Sequence, residues 1–266
     1  MTLPLKLTAA LVAVALLLTA CGSDGGAPSV ETIEAAPAIA HLTVDVRNRV
    51  EHDSNAFTEG LVFADGALYE STGKYGRSEL RQVAINSGEV LRSTPLDANL
   101  FGEGLAHVDD RLIQLTWKSG RALVYDRASL SVIEELAYEG EGWGLCFDGD
   151  RLVMSDGSST LTFRDPESFD VLGTIDVSQA GSSVTLLNEL ECVDGSVYAN
   201  VWRTDRIVRI DPSTGQVEAE IDAASLERSP TAGVLNGIAY DPTTGLFRLT
   251  GKFWSSAYDV EFVERE

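Results

Sequence analysis

The sequence predicts an all-β fold made of repeated four-stranded units, and three observations lead to this prediction. Short apolar stretches alternate with turn residues along the chain after residue 38. Asp-Gly or a similar pair separates many of these stretches, which is a strong signal for a β-hairpin. A similar head sequence returns at intervals of roughly 40–47 residues, as in repeat proteins. No sustained helical periodicity interrupts this pattern.

Each repeat starts with a polar or glycine-containing head, followed by an apolar strand, a tight turn and a second apolar strand. The five heads begin at Phe57, Phe101, Gly142, Leu187 and Leu235. The turns are Asp65-Gly66, Asp109-Asp110, Asp148-Gly149, Asp194-Gly195 and Pro242 to Gly245. Third and fourth strands follow, as in RIVRID (206–211) and QVEAEID (216–222). Because four strands at this period are typical of a propeller blade, the sequence predicts a five-bladed β-propeller.

The last repeat is one strand short. The segment HLTVDVRNRV (41–50) alternates apolar and polar residues and precedes the first head. We expect it to supply the missing outer strand and to close the ring, because an open ring leaves unpaired sheet edges. A β-sandwich is the competing arrangement, and the fixed period argues against it.

The first 21 residues are predicted to be a signal peptide. The apolar run Leu7 to Ala20 is short for a bilayer span and fits a signal sequence. Leu18-Thr19-Ala20-Cys21 resembles a bacterial lipobox, in which the cysteine sulfur is lipidated; an ordinary signal peptide with an incidental Cys21 is the alternative. Residues 22–38 are predicted to be a flexible tether and residues 39–266 the folded domain. We expect an exported protein, lipid-anchored to the outer face of the bacterial cytoplasmic membrane, or else periplasmic or extracellular.

The charge of the chain excludes two classes of partner. Its formal net charge is −21 and its pI is about 4.4. Nucleic-acid binding requires clustered Lys and Arg, and so does a polybasic membrane contact. We therefore expect no nucleic-acid partner and membrane contact through the lipid anchor only. Nothing in the sequence indicates an oligomer, so a monomer is predicted.

Cys146 and Cys192 are the remaining cysteines, and each follows a repeat head by a similar offset. In an exported protein they are candidates for a disulfide, with two buried thiols as the alternative. The three histidines, His41, His52 and His107, lie in other segments and form no hydrolase or metal motif. The sequence therefore predicts neither a metal site nor a cofactor.

The repeat heads are expected to meet at one end of a central channel, because the inner strand of each blade lines that channel. Glu59 and Glu103 would then face one cleft, and their mutual repulsion would raise the pKa of at least one of them. A carboxyl with a raised pKa suits proton transfer near neutral pH. All four tryptophans, Trp117, Trp143, Trp202 and Trp254, lie in or just after repeat heads, which predicts an aromatic-walled pocket.

Several motifs in order resemble the plant and bacterial type of the glutaminyl-peptide cyclotransferase family, which are five-bladed propeller enzymes. They are HDSNAFTEGL, ESTGKYGRSELR, FGEGL with QLTWK, GEGWGL with MSDGS, LNELE with YANVW, IDPSTG and LTGKFW. The resemblance extends from about Val44 to Phe262. It implies conversion of the N-terminal glutamine of peptides or proteins to pyroglutamate, with release of ammonia and without zinc.

The resemblance also implies which residues form the pocket. Phe57, Trp117, Trp143 and Trp202 would bind the substrate, and Glu103, Glu59, Lys252 and Asn188 would carry the chemistry. Glu103 would move the proton, and Glu59 would contact the α-amine or share that proton. Asn188 and Lys252 would hold or polarise the amide oxygen. Many relatives have Gln in place of Glu59.

Two other functions fit a propeller with this pocket, because propellers serve many activities. The first is a non-catalytic surface lipoprotein that binds a peptide or a sugar. The second is another propeller enzyme, such as a lactonase, with a channel metal held by Asn188, Glu189 and Asn236. A binding protein does not require the Glu59, Glu103 and Lys252 set, which favours the enzyme.

Overall fold

The computed structural model describes residues 38–265. The predicted signal peptide, Cys21 and residues 22–37 of the predicted tether lie outside these residues. All regular secondary structure in the described part is β-strand, which confirms the all-β prediction. Within residues 38–265, no helix is long and apolar enough to cross a membrane.

Three of the sheets contain four strands each, joined in sequence order by antiparallel pairing. Strands are numbered in chain order. The first of these sheets consists of β2 (Thr58–Ala64), β3 (Ala67–Thr72), β4 (Glu79–Val83) and β5 (Val90–Pro95). The second consists of β6 (Gly102–Val108), β7 (Arg111–Thr116), β8 (Arg121–Asp126) and β9 (Ser131–Ala137). The third consists of β10 (Leu145–Phe147), β11 (Leu152–Met154), β12 (Thr160–Arg164) and β13 (Val171–Asp176).

The remaining strands form an eight-stranded sheet and a small hairpin. The hairpin pairs β14 (Ser178–Gln179) with β15 (Ser182–Ser183). One half of the large sheet contains β16 (Leu187–Val193), β17 (Ser196–Val201), β18 (Arg206–Ile210) and β19 (Val217–Asp222). The other half contains β1 (Ala40–Glu51), β22 (Ser256–Glu264), β21 (Leu246–Gly251) and β20 (Leu235–Asp241).

Strand β1 joins the two halves of the large sheet. Leu42 to Glu51 pair antiparallel with β22, next to the C-terminus. Ala40 to Thr43 pair parallel with β19. The pairing with β22 is the one expected from the alternating segment 41–50, whereas the parallel pairing with β19 has no signal in the sequence. Both edges of β1 are thus occupied over part of its length.

A hairpin forms at each of the five predicted turns. Positive φ angles occur at Asp65 (47°) with Gly66 (74°) and at Asp194 (50°) with Gly195 (79°). Two such residues in succession are the geometry of a type I′ turn, which matches the twist of the flanking strands. The Asp-Gly pairs therefore set the register of these hairpins.

The first strand of each unit is mostly buried, and the last strand is mostly exposed in the first three units. Strand β2 packs against β6 and β20, β10 packs against β6 and β16, and β16 packs against β20. These five strands therefore contact one another in a closed circuit. Apolar side chains between neighbouring sheets form the core clusters. The outer strands β5, β9 and β13 are mostly exposed.

One covalent link joins two neighbouring units. The sulfurs of Cys146 on β10 and Cys192 on β16 form a disulfide between positions 46 residues apart in sequence. Cys146 is buried in the apolar cluster between these sheets, and Cys192 packs against it.

Candidate active site

Equivalent positions of the five repeats supply the side chains of the site. Each lies at the head of the inner strand, one residue before the close contact between neighbouring units. They are Glu59, Glu103, Trp143, Asn188 and Asn236. In four of the hairpins the register shifts at this point, so that the head residue lies in a β-bulge. Bulges redirect side chains next to active sites, and here they break the alternation of the strand at the residue that carries the chemistry.

Glycines after the head residues let the inner strands approach closely. The Gly104 N–H donates to the Trp143 carbonyl oxygen over 2.7 Å. A Cβ on Gly104 would lie 2.5 Å from the backbone nitrogen of Leu145, and one on Gly60 would lie 2.6 Å from that of Leu105. Any larger residue would push the inner strands apart. The glycines therefore keep the head side chains of neighbouring units within reach of one another.

Four of these head residues, all but Asn236, enclose a cavity of about 260 Å³ together with Phe57, Phe101 and residues that follow the second strands. Its lining residues are Phe57, Glu59, Lys74, Phe101, Glu103, Trp117, Trp143, Asn188, Trp202 and Lys252. All eight residues predicted to act in catalysis or substrate binding are among them. The aromatic walls consist of packed rings, since the ring centroids of Phe101 and Trp117 lie 5.6 Å apart and those of Trp143 and Trp202 lie 5.3 Å apart.

Glu59 is a buried carboxylate with two donors. Lys252 Nζ lies 2.8 Å from Glu59 Oε1, and Asn236 Nδ2 donates to Oε2 over 3.1 Å. Burial raises the pKa of Glu59, while the positive charge of Lys252 and its hydrogen bond act in the opposite direction. The ammonium group thus partly compensates the cost of burying this carboxylate.

Glu103 is buried as well, and it has no cation of its own. Burial raises its pKa well above the usual range, and the negative charge of Glu59 adds to this effect. A hydrogen bond between the two carboxyls raises the pKa of Glu103 further and lowers that of Glu59. Glu103 is therefore the donor in this bond and holds the proton.

Glu141, at the rim, holds two of the aromatic walls. Its Oε2 accepts the indole N–H of Trp117 over 2.7 Å and that of Trp143 over 3.0 Å. Lys118 Nζ lies 3.3 Å from the other carboxylate oxygen. Burial acts to raise the pKa of Glu141, but the hydrogen bonds from Trp143, Trp117 and Lys118 outweigh it and lower the pKa. Glu141 is therefore a fixed anion that orients both indoles.

Asn188 and Asn236 each keep an acceptor free. The Oδ1 atoms of both side chains are buried and have no hydrogen-bond partner within residues 38–265. A buried amide oxygen without a partner is costly. Asn188 lines the cavity, so a donor on a bound molecule can satisfy its Oδ1.

Trp254 does not belong to the pocket, although the sequence grouped it with the other tryptophans. It is 1% exposed, packs in the core with Tyr258 and Val260, and donates its indole N–H to the Gly233 carbonyl oxygen over 2.9 Å. His52 also has a structural position, between the Trp254 carbonyl oxygen and Glu70.

The sequence did not identify Lys74, Phe101 or Glu141 as pocket residues. Phe101 opens the second head as Phe57 opens the first, and this equivalence is a signal for it. The sequence contains a signal for Lys74 as well. Equivalent positions after the second strands are occupied by Lys74, Lys118, Arg203 and Lys252. Glu141 has no comparable signal, because the equivalent positions in the first two repeats are Phe57 and Phe101. In the part of the chain that the structure describes, no cluster of His, Cys, Asp and Glu is arranged to hold a metal ion.

Fold and site together define the class of protein. An all-β chain in which buried carboxyls, an ammonium group and amides meet inside an aromatic-walled cavity is suited to acid–base chemistry on a small polar group. Proton-carrying groups held in low dielectric, with donors fixed beside them, are typical of an enzyme.

Comparisons with known proteins identify the family. The sequence pattern of the glutamine cyclotransferase family matches residues 13–262. The glutaminyl-peptide cyclotransferase of Arabidopsis thaliana is 38% identical over 226 residues, which cover 82% of this chain and 71% of the plant protein. The structure of Myxococcus xanthus glutaminyl cyclase has a TM-score of 0.81 and 38% identity, covering 86% of this chain and 100% of that one. The chain belongs to the glutamine cyclotransferase family, which confirms the resemblance found in its motifs.

Proposed function

We propose that this protein is a glutaminyl-peptide cyclotransferase that converts the N-terminal glutamine of peptides to pyroglutamate and releases ammonia. The observation that carries the proposal is the buried Glu103–Glu59–Lys252 group inside an aromatic cavity large enough for one side chain. A member of this family in which these carboxyls and this ammonium group lie together has the acid, base and cation that the reaction requires.

The reaction joins two ends of the same residue. The substrate's α-amine nitrogen attacks the γ-carboxamide carbon and forms the new C–N bond. The carbonyl oxygen becomes an oxyanion, and collapse of the tetrahedral intermediate breaks the bond to the amide nitrogen, which leaves as ammonia. The walls formed by Phe57, Trp117, Trp143 and Trp202 hold the side chain folded back on the amine. This orientation replaces an encounter in solution.

Glu103 moves the proton. The attacking amine loses a proton as the ring closes, and the departing nitrogen gains one. Glu103, which holds the proton, can give it to the departing nitrogen and take up the proton that the amine loses, which is efficient when its pKa approaches the working pH. Glu59 remains the charged partner that keeps this proton affinity high.

Lys252 and Asn188 hold the carboxamide. The ammonium group of Lys252 is fixed by Glu59 and has a further proton to donate to the developing oxyanion. Stabilisation by a fixed donor in a site without bulk water is typically a large contribution to catalysis. Asn188 Oδ1, the free acceptor, receives an N–H of the substrate amide, which differs from the predicted contact with the amide oxygen.

We further propose that the four-stranded units are the blades of a five-bladed propeller closed by β1. The circuit of contacts among the inner strands and the pairing of β1 with β22 support this arrangement. The outer strands then face solvent, and the repeat heads share one mouth.

For the N-terminal region we propose a lipidated, exported monomer. Residues 1–21 would be the signal peptide, Cys21 the lipidation site and 22–38 the tether of the domain at 39–266. The composition of these segments supports the proposal, and the Cys146–Cys192 disulfide suits an oxidising compartment. Labelling of cells with a radioactive fatty acid tests it, since Cys21→Ala should abolish incorporation.

The proposed reaction is tested with purified residues 38–266 and a synthetic peptide that begins with Gln. Mass spectrometry should show loss of one ammonia per peptide. Glu103→Gln should lower kcat/KM by about 10³-fold, since general acid–base catalysis contributes about 10²–10⁴. Glu134→Gln removes an exposed carboxylate from β9 and serves as the matched control. A protein that binds the peptide without changing its mass would be a binding module, and near-normal turnover by Glu103→Gln would contradict the role of Glu103.

A further inference from the structure

A second cavity, of about 210 Å³, lies beside the first and shares two of its residues. Phe57 and Lys74 line both cavities. Asn55, Thr72, Arg77, Glu79 and Arg81 complete the side-chain lining of the second. The catalytic pocket is walled by rings, whereas this cavity is walled mainly by charged and polar side chains.

Three of these side chains are cations, and two of them have no counter-ion. Among the described residues, neither Lys74 nor Arg77 has a carboxylate oxygen within ion-pair distance. Lys74 Nζ lies over the ring of Phe57, 3.7 Å from its centroid. Glu79 is the one carboxylate in the lining, and it is bound to Arg81 over 2.7 Å.

Arg81 is 8% exposed and keeps a free donor. Its Nη1 donates to Asp53 over 3.0 Å and its Nη2 to Glu79 over 2.7 Å. Its Nε is buried and has no partner within residues 38–265. Glu70 Oε2 also lies 3.7 Å from Nη1, so three carboxylates already surround Arg81, and Lys74 and Arg77 are the cations that a ligand can pair with.

The loop after β3 fixes Lys74 between the two cavities. Lys74 has a φ of 109°, which residues other than glycine rarely adopt. The Arg77 N–H and the Ser78 hydroxyl both donate to the Lys74 carbonyl oxygen, each over 2.9 Å. Such a conformation persists where the surroundings impose it. The backbone of Lys74 is therefore fixed at the boundary, and its ammonium group lies over the Phe57 ring.

We propose that this cavity is a subsite for a carboxylate on the residue that follows the N-terminal glutamine of the substrate. The inference rests on the proposed cyclotransferase activity. When glutamine fills the aromatic pocket, the main chain leaves past Lys74. One residue spans about 3.3–3.6 Å, so the side chain of the second residue begins next to Lys74. An Asp or Glu there meets Lys74 and Arg77, while a Lys meets like charge.

The expected preference for an acidic second residue therefore comes from nearby cations and opposes the electrostatic field of the whole chain. A chain of net charge −21 repels acidic peptides at long range, and only nearby cations favour them. Pairs of this exposure contribute up to about 1 kcal/mol, which corresponds to about fivefold in kcat/KM. Salt screens such pairs, so the preference should fall towards one near 1 M salt.

The test uses residues 38–266 and three peptides with amidated C-termini that differ only at the second residue, which is Glu, Gln or Lys. The readout is the ratio of kcat/KM for the Glu peptide to that for the Gln peptide. We expect about fivefold for the wild type and a ratio near one for Arg77→Gln and for Lys74→Met. A general loss of activity cancels in this ratio, so damage to the neighbouring pocket does not imitate the result.

Arg47→Gln on β1 is the matched control, because it removes one positive charge from a surface position away from both cavities. It should leave the ratio at the wild-type value. Equal wild-type rates on the Glu and Gln peptides would overturn the subsite but not the reaction. An unchanged ratio in both Arg77→Gln and Lys74→Met would do the same. If none of the three peptides were cyclised, both proposals would be overturned.

Discussion

The pair of carboxyls in the pocket shares one proton, and its distribution follows from their neighbours. Glu59 has Lys252 and Asn236 as donors, whereas Glu103 lies beside the Glu59 carboxylate, whose charge raises its pKa more than Lys252 lowers it. Cyclisation requires a neutral substrate amine and one proton on the pair. The kcat/KM is therefore highest between the pKa of Glu103 and that of the amine, which is about 7.7–8.0 in peptides.

Glu59→Gln should move the limb of the pH profile that Glu103 sets to lower pH. The negative charge of Glu59 raises the pKa of Glu103, second only to burial, and Lys252 opposes it. Removing that charge and freeing the ammonium both lower the pKa, by about one unit. The measurement is kcat/KM against pH for the wild type and the variant. Glu59→Asp keeps the charge and should keep the limb in place; a limb that stays in place in Glu59→Gln would contradict the argument.

Glu141 acts through the two indoles that it orients. Glu141→Ala removes the acceptor shared by Trp117 and Trp143, so we expect KM for a Gln peptide to rise about tenfold with a smaller change in kcat. Hydrogen bonds to a charged group are worth about 1.5–3 kcal/mol, and a neutral acceptor keeps part of that. The KM of Glu141→Gln should therefore lie between those of the wild type and Glu141→Ala. Tryptophan emission should shift in the same order.

Glu139→Ala, two residues away and exposed, is the control for the Glu141 series. It should match the wild type in KM and in emission. If Glu141→Ala lowered kcat and left KM unchanged, the indoles would not depend on this carboxylate for substrate binding.

The residues of the pocket were largely predictable from the sequence, because most of them occupy equivalent positions in the repeats. Glu59, Glu103, Trp143 and Asn188 stand at equivalent heads, and equivalent heads converge in a repeat fold. Trp254 shows the limit of that reasoning. It follows Lys252 by only two residues, yet a turn directs it into the core, and nothing in the sequence distinguishes an indole that lines a pocket from one that fills a core. The hydrogen bond from Glu103 to Glu59 also depends on distances that no spacing gives.

At the scale of elements, the disulfide adds a covalent link between two units that also pack apolar side chains against each other. Replacing both Cys146 and Cys192 with Ala frees a loop of 46 residues in the unfolded chain. We expect the free energy of unfolding to fall by about 2–4 kcal/mol. Urea unfolding of residues 38–266, with and without a reducing agent, measures this change.

Activity should survive the loss of the disulfide at moderate temperature, because neither sulfur lines the cavity. Reduction of the wild type should reproduce the effect of the double substitution. An equal unfolding midpoint for oxidised wild type and variant would show that the bond does not contribute to stability.

The strands were predictable because Asp-Gly turns and alternating apolar residues mark their ends. The bulges were not, since an extra residue in one strand leaves the composition unchanged. The parallel contact of β1 with β19 was also missed. It involves only Ala40 to Thr43 and depends on where the outer edge of β19 lies in space, which the pattern of neither strand records.

At the scale of the whole molecule, β1 connects the two ends of the chain. It covers the edge of β22 with Leu42 to Glu51 and the edge of β19 with Ala40 to Thr43, and it buries Val44 and Val50. The first and last units also meet through β2, which packs against β20. The position of the catalytic pocket depends on the junction, because Lys252 from the last unit meets Glu59 from the first.

Residues 38–266 should therefore fold and cyclise Gln peptides, whereas residues 52–266 should not. Without β1 the fragment exposes two unpaired strand edges, and such edges promote association. Circular dichroism, size-exclusion chromatography and the ammonia-loss assay measure folding, association and activity. A synthetic peptide of residues 38–51 should restore activity when it is added to the fragment, since it supplies the missing pairing. The same peptide with Pro in place of Val44 and Val50 should fail, because proline removes backbone donors and does not fit the middle of a sheet. Full activity of the fragment alone would show that the first and last units hold together without β1, and the closure of the ring would then need another cause.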